Sequence, residues 1–156
     1  HYLSGSITFD AVVNTVDAEI ATKIVWLDAF LMNIDRTARN TNMLFWNKKL
    51  WVIDHGASLY FHHNPEAWEE QCLKPFVQIK DHVLLSKVNN LEQIKDKAKS
   101  LISKQFLEEI LSQIPENWIP ETEVANKKMY LNFLLKRLEN ADIFESQIEN
   151  ARKSLI

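Results

Sequence analysis

Four polar side chains within the first 54 residues combine carboxylates and amides at short spacing. Asp35 is followed by Asn40 five residues on and by Asn42 seven residues on, and Asp54 stands just after an apolar run. Phosphoryl transfer needs a carboxylate that orients the attacking hydroxyl and oxygen ligands that hold magnesium against the phosphates. Because Mg²⁺ is usually held by one or two protein oxygens together with water and phosphate, this set could perform that chemistry if folding brings it together.

The helix predicted before these residues would place Asp35 in a loop at its C-terminal end. Asp17 is a suitable N-cap residue, and the apolar residues that follow recur at helical spacing, which predicts a helix that ends near Asn33. These apolar residues are Ile20, Ile24, Leu27 and Leu31. Residues 35–42 are polar and show no sustained periodicity, so they are predicted to form the loop.

A β-hairpin is predicted to return the chain to this loop. Residues 43–46 and 50–53 are short β-like runs, and Asn47-Lys48-Lys49 between them has the length of a hairpin loop. Asp54 ends the second run and would therefore lie beside the polar loop. Gly56, two residues later, would allow the backbone to turn sharply there.

The remainder of the chain is predicted to be helical, which gives a mainly α fold with one β-hairpin. Of the 156 residues only two are glycine and four are proline, so tight turns are few. The length fits a single domain, residues 1–156, with a sizeable core. The further predicted helices lie near residues 65–73, 81–88, 90–102, 103–114, 122–140 and 141–154.

Composition and charge exclude several classes of protein. The formal net charge of −3 provides no basic field that would attract nucleic acid directly. No apolar run approaches the ~20 residues that a membrane span needs, and the first residues lack the pattern of a signal peptide. Cys72 is the only cysteine, so no internal disulfide can form and a reducing compartment is expected. We therefore expect a cytoplasmic protein that binds neither membrane nor nucleic acid.

Several motifs resemble those of a known family. Residues 33–40 resemble the catalytic loop of kinase-like folds, and phosphatidylinositol kinases in particular carry Asp-Arg followed by an Asn. Residues 53–56, Ile-Asp-His-Gly, resemble the Asp-Phe-Gly element in its Ile-Asp-x-Gly form. Together with residues 26–28, 58–63 and 78–85, these motifs are similar to those of bacterial HipA-like kinases. The resemblance is close over roughly the first 90 residues and looser beyond them.

The resemblance implies a role for each residue of the polar set. Asp35 would be the catalytic aspartate that orients the substrate hydroxyl and receives its proton, and Asp54 the principal magnesium ligand. The family also uses a loop asparagine as a metal ligand, and the choice between two residues stays open. Spacing from Asp35 selects Asn40, whereas the position just before a strand selects Asn42. Arg36 is a further candidate catalytic residue that would contact phosphate or a carboxylate, with a structural ion pair as the alternative.

The resemblance also implies a fold and a reaction. The chain would be the C-terminal, large lobe of a kinase-like α+β fold, and the intact protein would use ATP and Mg²⁺ to phosphorylate a hydroxyl, in first place on a protein Ser or Thr. The glycine-rich loop and strand lysine that hold ATP in kinases do not occur in this sequence. We therefore expect the N-terminal ATP-binding lobe to lie outside this chain, and the chain alone not to turn over ATP. HipA kinases often belong to toxin–antitoxin pairs, which implies a protein substrate and an antitoxin-like partner.

Two other functions fit parts of the sequence. A metal-dependent phosphohydrolase would use histidines with nearby carboxylates, and the candidate histidines are His55, His62, His63 and His82. Adjacent histidines on a strand would point to opposite faces, which is poor geometry for a shared ion. A catalytically silent helical interaction module is the other alternative, and it would bind its partner without needing Asp54.

Overall fold

The fold is mainly helical, as the sequence predicts, and it carries a small antiparallel sheet. The computed structural model describes residues 3–119 and 126–155. In chain order the strands and helices are β1 (Ile7–Thr8), α1 (Ala18–Leu31), β2 (Met43–Trp46), β3 (Lys49–Val52), α2 (Trp68–Gln71), α3 (Leu91–Leu101), α4 (Lys104–Ser112), α5 (Lys127–Glu139) and α6 (Asp142–Lys153). Short 3-10 helices occupy Tyr60–His63, Pro65–Ala67, Val77–Asp81, Leu85–Lys87 and Glu116–Trp118. None of the helices within these described ranges has both the length and the apolar character that crossing a membrane requires.

Helix α1 begins and ends where its sequence predicts. The Oδ1 atom of Asp17 accepts hydrogen bonds from the N–H groups of Glu19, at 2.9 Å, and of Ile20, at 3.2 Å, which satisfies two donors of the first turn. At the other end Met32 takes a left-handed conformation with φ of 56°, and the Asn33 N–H donates to the Asp28 carbonyl at 2.8 Å. This C-cap stops the helix and turns the chain into the polar loop.

The sheet has three strands, one more than the sequence predicts, in the order β1-β2-β3. Strand β1 pairs antiparallel with β2 through Ile7 and Phe45 and is only two residues long. A strand of that length is too short to show an alternating pattern, so the sequence carried no signal for it.

The hairpin between β2 and β3 is present, but its turn is shorter than predicted. Trp46 pairs with Lys49, so the turn contains only Asn47 and Lys48, and Lys49 belongs to the second strand. The φ angles of Asn47 and Lys48 are 50° and 62°. Positive φ at both central residues defines the type I′ turn, whose twist matches that of two antiparallel strands. Strand β3 is therefore Lys49–Val52 and not residues 50–53.

The helices predicted at residues 65–73 and 81–88 are largely wrong. In the first segment only Trp68–Gln71 is α-helical, after a 3-10 turn, and Pro75 follows closely and limits any extension. In the second segment His82 has an extended backbone with φ of −67° and ψ of 128°. The Val83 N–H donates to the Arg36 carbonyl at 3.1 Å instead of to a helical neighbour. Pairing with the polar loop thus replaces the predicted helix.

The later helices agree better with prediction. Helices α3, α4 and α6 fall within the predicted segments 90–102, 103–114 and 141–154. In the segment 122–140 the described part is helical as α5, whereas residues 122–125 lie outside the described residues.

Helices α1, α5 and α6 share one aromatic core. Trp26 of α1 meets Phe144 of α6 edge-on, with ring centroids 5.4 Å apart, and Phe133 of α5 stacks on Phe61 at 3.9 Å. The Trp26 Nε1–H donates to the buried Glu145 carboxylate at 2.9 Å, so its polar atom is also satisfied. Each large apolar side chain buried here contributes about 1.5–3 kcal/mol, which fixes the C-terminal half of α1 in place.

Arg137 of α5 ties the core to the end of α1. It is 1% exposed, and its guanidinium donates to the carbonyls of Ala29 and Phe30, both at 2.7 Å, and of Cys72, at 3.1 Å. Burial lowers the pKa of Arg137 to about 10, so it stays protonated at neutral pH. A cation at the C-terminal end of a helix pairs with carbonyls that have no partner within the helix. The helix that precedes the polar loop is thereby anchored at the end nearest that loop.

Candidate functional site

The carboxylate of Asp35 lies at the centre of the polar loop. Its Oδ2 atom accepts a hydrogen bond from Asn40 Nδ2 at 2.8 Å and another from Asn42 Nδ2 at 3.1 Å. The Asn42 amide nitrogen also donates to the Asp35 carbonyl at 3.2 Å. The two asparagines between which spacing could not choose therefore both contact the same aspartate.

Local hydrogen bonds hold this loop in shape. The Thr37 N–H donates to the Asn40 carbonyl at 2.9 Å, and the Asn40 N–H donates to Thr37 Oγ1 at 3.3 Å. At the start of the loop Asn33 Oδ1 accepts from the Asp35 N–H at 3.2 Å. Polar side chains that bond to nearby backbone groups stabilise non-helical conformations, which explains why these residues form a loop directly after α1.

Asp54 is connected to the loop through the backbone of the residue before it. The Ile53 N–H donates to the Asn42 carbonyl at 2.9 Å, immediately beyond β3. Asn42 therefore contacts Asp35 with its side chain and the segment of Asp54 with its main chain. Asp54 itself is exposed to solvent, and its Oδ1 accepts a long hydrogen bond of 3.4 Å from the Gly56 N–H.

The chain turns twice after β3, first at Asp54 and then at Gly56, as predicted, where the Ser58 N–H donates to the His55 carbonyl at 3.0 Å. Asp54 has a φ of 49°, whereas Gly5 is the only glycine with a positive φ. Left-handed conformations cost a non-glycine residue of the order of 1 kcal/mol, and such strain is concentrated at functional sites. Asn42, with a φ of 45°, shares this conformation with Asp54, so both candidate ligands carry the same backbone cost.

Arg36 lies beneath the loop and is 1% exposed. Its Nε donates to Asp28 Oδ2 at 2.5 Å, and its Nη1 donates to the Asn42 carbonyl and, at 3.5 Å, to the Ile53 carbonyl. The guanidinium therefore faces a carboxylate of α1 and two main-chain carbonyls. In this position it supports the loop from below and does not reach the open side of the site.

Asp28 is buried together with Arg36 and accepts hydrogen bonds from three side chains. Besides Arg36 these are Asn33 Nδ2, 2.9 Å from Oδ1, and His82 Nε2, 3.0 Å from Oδ2. Burial by itself would raise the pKa of the Asp28 carboxyl, but the bonds from His82 and Arg36, the Arg36 charge and the Asn33 bond together hold that pKa below its ordinary value. The carboxylate is thus kept ionised and acts as a fixed anchor for Arg36.

The hydrogen bonds of His82 define its tautomer. The Leu84 N–H donates to His82 Nδ1 at 3.0 Å, so this nitrogen is an acceptor and Nε2 carries the hydrogen that points at Asp28. Sequence reasoning placed His82 at a helix start and gave Asp28 no role of its own. A charged residue within the otherwise apolar face of α1 was the one signal that could have identified Asp28.

His55, His62 and His63 belong to no cluster of possible metal ligands among the described residues. His62 and His63 lie on a 3-10 helix with ring centroids 4.1 Å apart, so the expectation that they would point to opposite faces of a strand is wrong. Both ring nitrogens of His82 are occupied within the fold. Among the described residues, no group of three or more His, Cys, Asp or Glu side chains is arranged to hold a metal ion.

A groove opens to solvent beside the loop. It has a volume of about 500 Å³ and lies between residues 8–12, which begin at the last residue of β1, and residues 38–41. Arg39 and Asn40, which line it, are both exposed. Of the four candidate site residues, Asn40 is the one that lines this groove.

A comparison of the chain with protein-family models gave a match. A family model described as HipA-like kinase matches residues 4–147, a range that includes the polar loop, the hairpin, Asp54 and the first half of α6. No curated protein and no solved structure matches the chain. Since the matched range covers almost the whole sequence, the chain belongs to the HipA-like kinase family.

Proposed function

We propose that this chain is the C-terminal lobe of an ATP- and magnesium-dependent kinase that phosphorylates a hydroxyl. The observation that carries the proposal is the junction at Asn42, whose side chain contacts Asp35 and whose carbonyl pairs with the residue before Asp54. Catalysis of phosphoryl transfer depends mainly on positioning and electrostatics, and this junction joins the two carboxylate segments that such a site needs.

Asp35 would orient the acceptor hydroxyl and take its proton. Both asparagine amides donate to Oδ2, and no hydrogen bond from the described residues reaches Oδ1. One oxygen is thus fixed while the other stays available to a substrate. A carboxylate that is held at one oxygen keeps a defined direction toward the hydroxyl, which is the requirement for general-base catalysis.

Asp54 and one loop asparagine would hold the magnesium ion. Mg²⁺ prefers oxygen ligands and retains several waters, and the exposed Asp54 carboxylate meets both conditions. Exposure favours Asn40 over Asn42 as the second ligand, because Asn40 is exposed whereas Asn42 is only 8% exposed. In either residue Oδ1 would bind the ion, since Nδ2 donates to Asp35. When bound, the ion would neutralise charge on the phosphates of ATP. Asn42 and Arg36 would act as positioning residues.

The part of the site that binds most of the ATP would come from a second lobe. The whole sequence contains two isolated glycines, Gly5 and Gly56, and therefore no glycine-rich phosphate loop. We propose that an N-terminal lobe supplies this loop and the phosphate-binding lysine, and that the chain alone does not turn over ATP. Membership of the family favours a protein Ser or Thr as the acceptor, placed in the groove beside Asn40, and an antitoxin-like protein as a partner.

Transfer of labelled phosphate from ATP to protein hydroxyls tests the proposal when the chain is joined to its ATP-binding lobe. Asp35→Asn should lower the rate by about 100-fold to 10,000-fold, the usual contribution of a general base. Asp54→Asn should raise the Mg²⁺ concentration that half-maximal activity needs. Asp96→Asn is the matched control, because Asp96 is an exposed aspartate of α3. An Asp35→Asn protein as active as the Asp96→Asn control would refute the proposed mechanism.

A further inference from the structure

We propose that Asp28 and His82 are positioning residues of the phosphotransfer site, and that they act through Arg36. The three residues form a buried set, here called the Asp28 network, that holds the polar loop against the end of β3. This inference rests on the proposed function, because it assigns to the network the alignment of Asp35 with Asp54.

Arg36 is the member of the network that contacts both halves of the site. Its Nη1 donates to the carbonyls of Asn42 and Ile53, which are the residues that flank the junction between loop and hairpin. The Asn42 carbonyl also accepts the Ile53 N–H. A single guanidinium group therefore bridges the segment that carries Asp35 and the segment that carries Asp54, and it reinforces their direct bond.

Asp28 determines the orientation of that guanidinium group. Its Oδ2 lies 2.5 Å from Arg36 Nε and its Oδ1 lies 3.4 Å from Nη2, so both carboxylate oxygens face the arginine. The two side chains are 1% exposed or less, which makes them a buried ion pair. Such a pair is stable only when further hydrogen bonds satisfy the remaining groups, and Asn33 and His82 provide them.

His82 connects the network to a third segment of the chain. Its Nδ1 accepts from the Leu84 N–H and its Nε2 donates to Asp28, so the imidazole ring links residues 82–84 to α1. The same segment contacts the polar loop directly, through a β-bridge between His82 and Thr37 and through the Val83 N–H on the Arg36 carbonyl. The polar loop is therefore held between β3 on one side and residues 82–84 on the other.

Two substitutions of His82 separate its two hydrogen bonds. The amide nitrogen of glutamine lies near the position of Nε2 in histidine, so His82→Gln keeps a donor for Asp28 and loses the acceptor for Leu84. The side chain of asparagine ends near the position of Nδ1, so His82→Asn keeps that acceptor and loses the donor. If the bond to Asp28 positions the site, the asparagine variant must be the more defective of the two.

Two measurements report whether the site keeps its geometry in these variants. Exchange of the Ile53 amide hydrogen reports the bond to the Asn42 carbonyl in the chain itself, whether or not the chain has activity. The Mg²⁺ requirement of phosphotransfer reports the alignment of the metal ligands when the chain is joined to its ATP-binding lobe. We expect His82→Asn to increase the exchange rate of the Ile53 amide and the Mg²⁺ requirement by about tenfold or more, since residues that orient metal ligands typically contribute 10-fold to 100-fold. In His82→Gln both quantities should stay within about threefold of their wild-type values.

The outcomes distinguish this inference from the proposed function. Equal exchange rates and equal Mg²⁺ requirements in the two variants, with matched free energies of unfolding, would overturn the positioning role and leave the proposed function standing. Phosphotransfer that is as fast in Asp35→Asn as in wild type would overturn the proposed function. It would also remove the site that the network is proposed to align. Should His82→Asn fail to fold, the ¹⁵N shifts of His82 in the wild-type chain decide: hydrogen on Nε2 supports the network, and hydrogen on Nδ1 overturns it.

Discussion

Some residues of the site could be identified from the sequence, and others could not. Asp35, Asn40 and Asn42 are close neighbours in the chain, and spacing alone was enough to select them as a group. The bond between Asp28 and His82 spans 54 positions, and no pattern local in sequence links residues so far apart. The proximity of these loop residues was therefore accessible to sequence reasoning, whereas the buried charges that support the loop needed the fold.

The Asp28 network predicts how stability depends on pH. Because the pKa of Asp28 is below its ordinary value of 3.8 in the folded chain, its contribution is present above that value and is lost as pH falls through the lower folded pKa. Asp28→Asn should lower the free energy of unfolding at pH 7 by about 3–5 kcal/mol, because it leaves the Arg36 charge buried without a partner. It should also flatten the acid limb of the stability profile.

Urea unfolding of wild type and Asp28→Asn between pH 7 and pH 2 checks this expectation. Glu19 and Glu70, whose pKa values are lowered by Lys23 and Lys74 respectively, contribute to the acid limb in both proteins alike, so the comparison isolates Asp28. Parallel profiles for the two proteins would show that Asp28 is not the ionised anchor described here.

At the scale of elements, the hairpin was predicted but its register was not. Its β-like residues identified two strands, yet the turn contains only Asn47 and Lys48, both with positive φ. The usual signal for a two-residue turn is Asn-Gly, and with lysine in the glycine position the sequence favoured a three-residue loop. Burial and pairing within the sheet therefore overrode the local preference of Lys48.

Lys48→Gly should stabilise the chain. Glycine adopts a positive φ without the steric cost that a lysine side chain incurs, so we expect the free energy of unfolding to rise by about 0.5–1 kcal/mol. Lys49→Gly is the matched control, because Lys49 lies in β3 and glycine there should be destabilising. A Lys48→Gly variant that loses as much stability as the control in urea unfolding would contradict the assigned turn.

At the scale of the whole molecule, the structure shows a role for helices beyond residue 90 that the sequence did not reveal. Helices α5 and α6 enclose the C-terminal half of α1, and Arg137 of α5 holds the last carbonyls of that helix. The polar loop begins only a few residues beyond these contacts. Amphipathic patterns predicted that these helices exist, but the partner of a buried arginine cannot be read from periodicity because it consists of main-chain carbonyls.

Arg137→Met should therefore destabilise the whole chain. It retains much of the apolar stem but leaves buried carbonyls without donors, each of which costs about 1–3 kcal/mol. We expect a loss of about 3–5 kcal/mol in the free energy of unfolding, measured by urea denaturation. Lys136→Met is the control, since Lys136 makes a surface pair with Glu69 at 3.2 Å and such pairs contribute about 1 kcal/mol or less. Equal losses in the two variants would argue against the anchoring role of Arg137.

The central claim is that the polar loop and Asp54 form one cation site. Paramagnetic broadening of amide NMR signals by Mn²⁺, added with ATP in place of Mg²⁺, tests this claim most directly. Amides close to a bound Mn²⁺ ion broaden even when the ion binds weakly. The account predicts that the amides of Asp35, Asn40 and Asp54 broaden together, and that Asp54→Asn greatly reduces the effect at all three. Broadening centred on His62 and His63, with no effect at Asp35 and Asp54, would contradict the account.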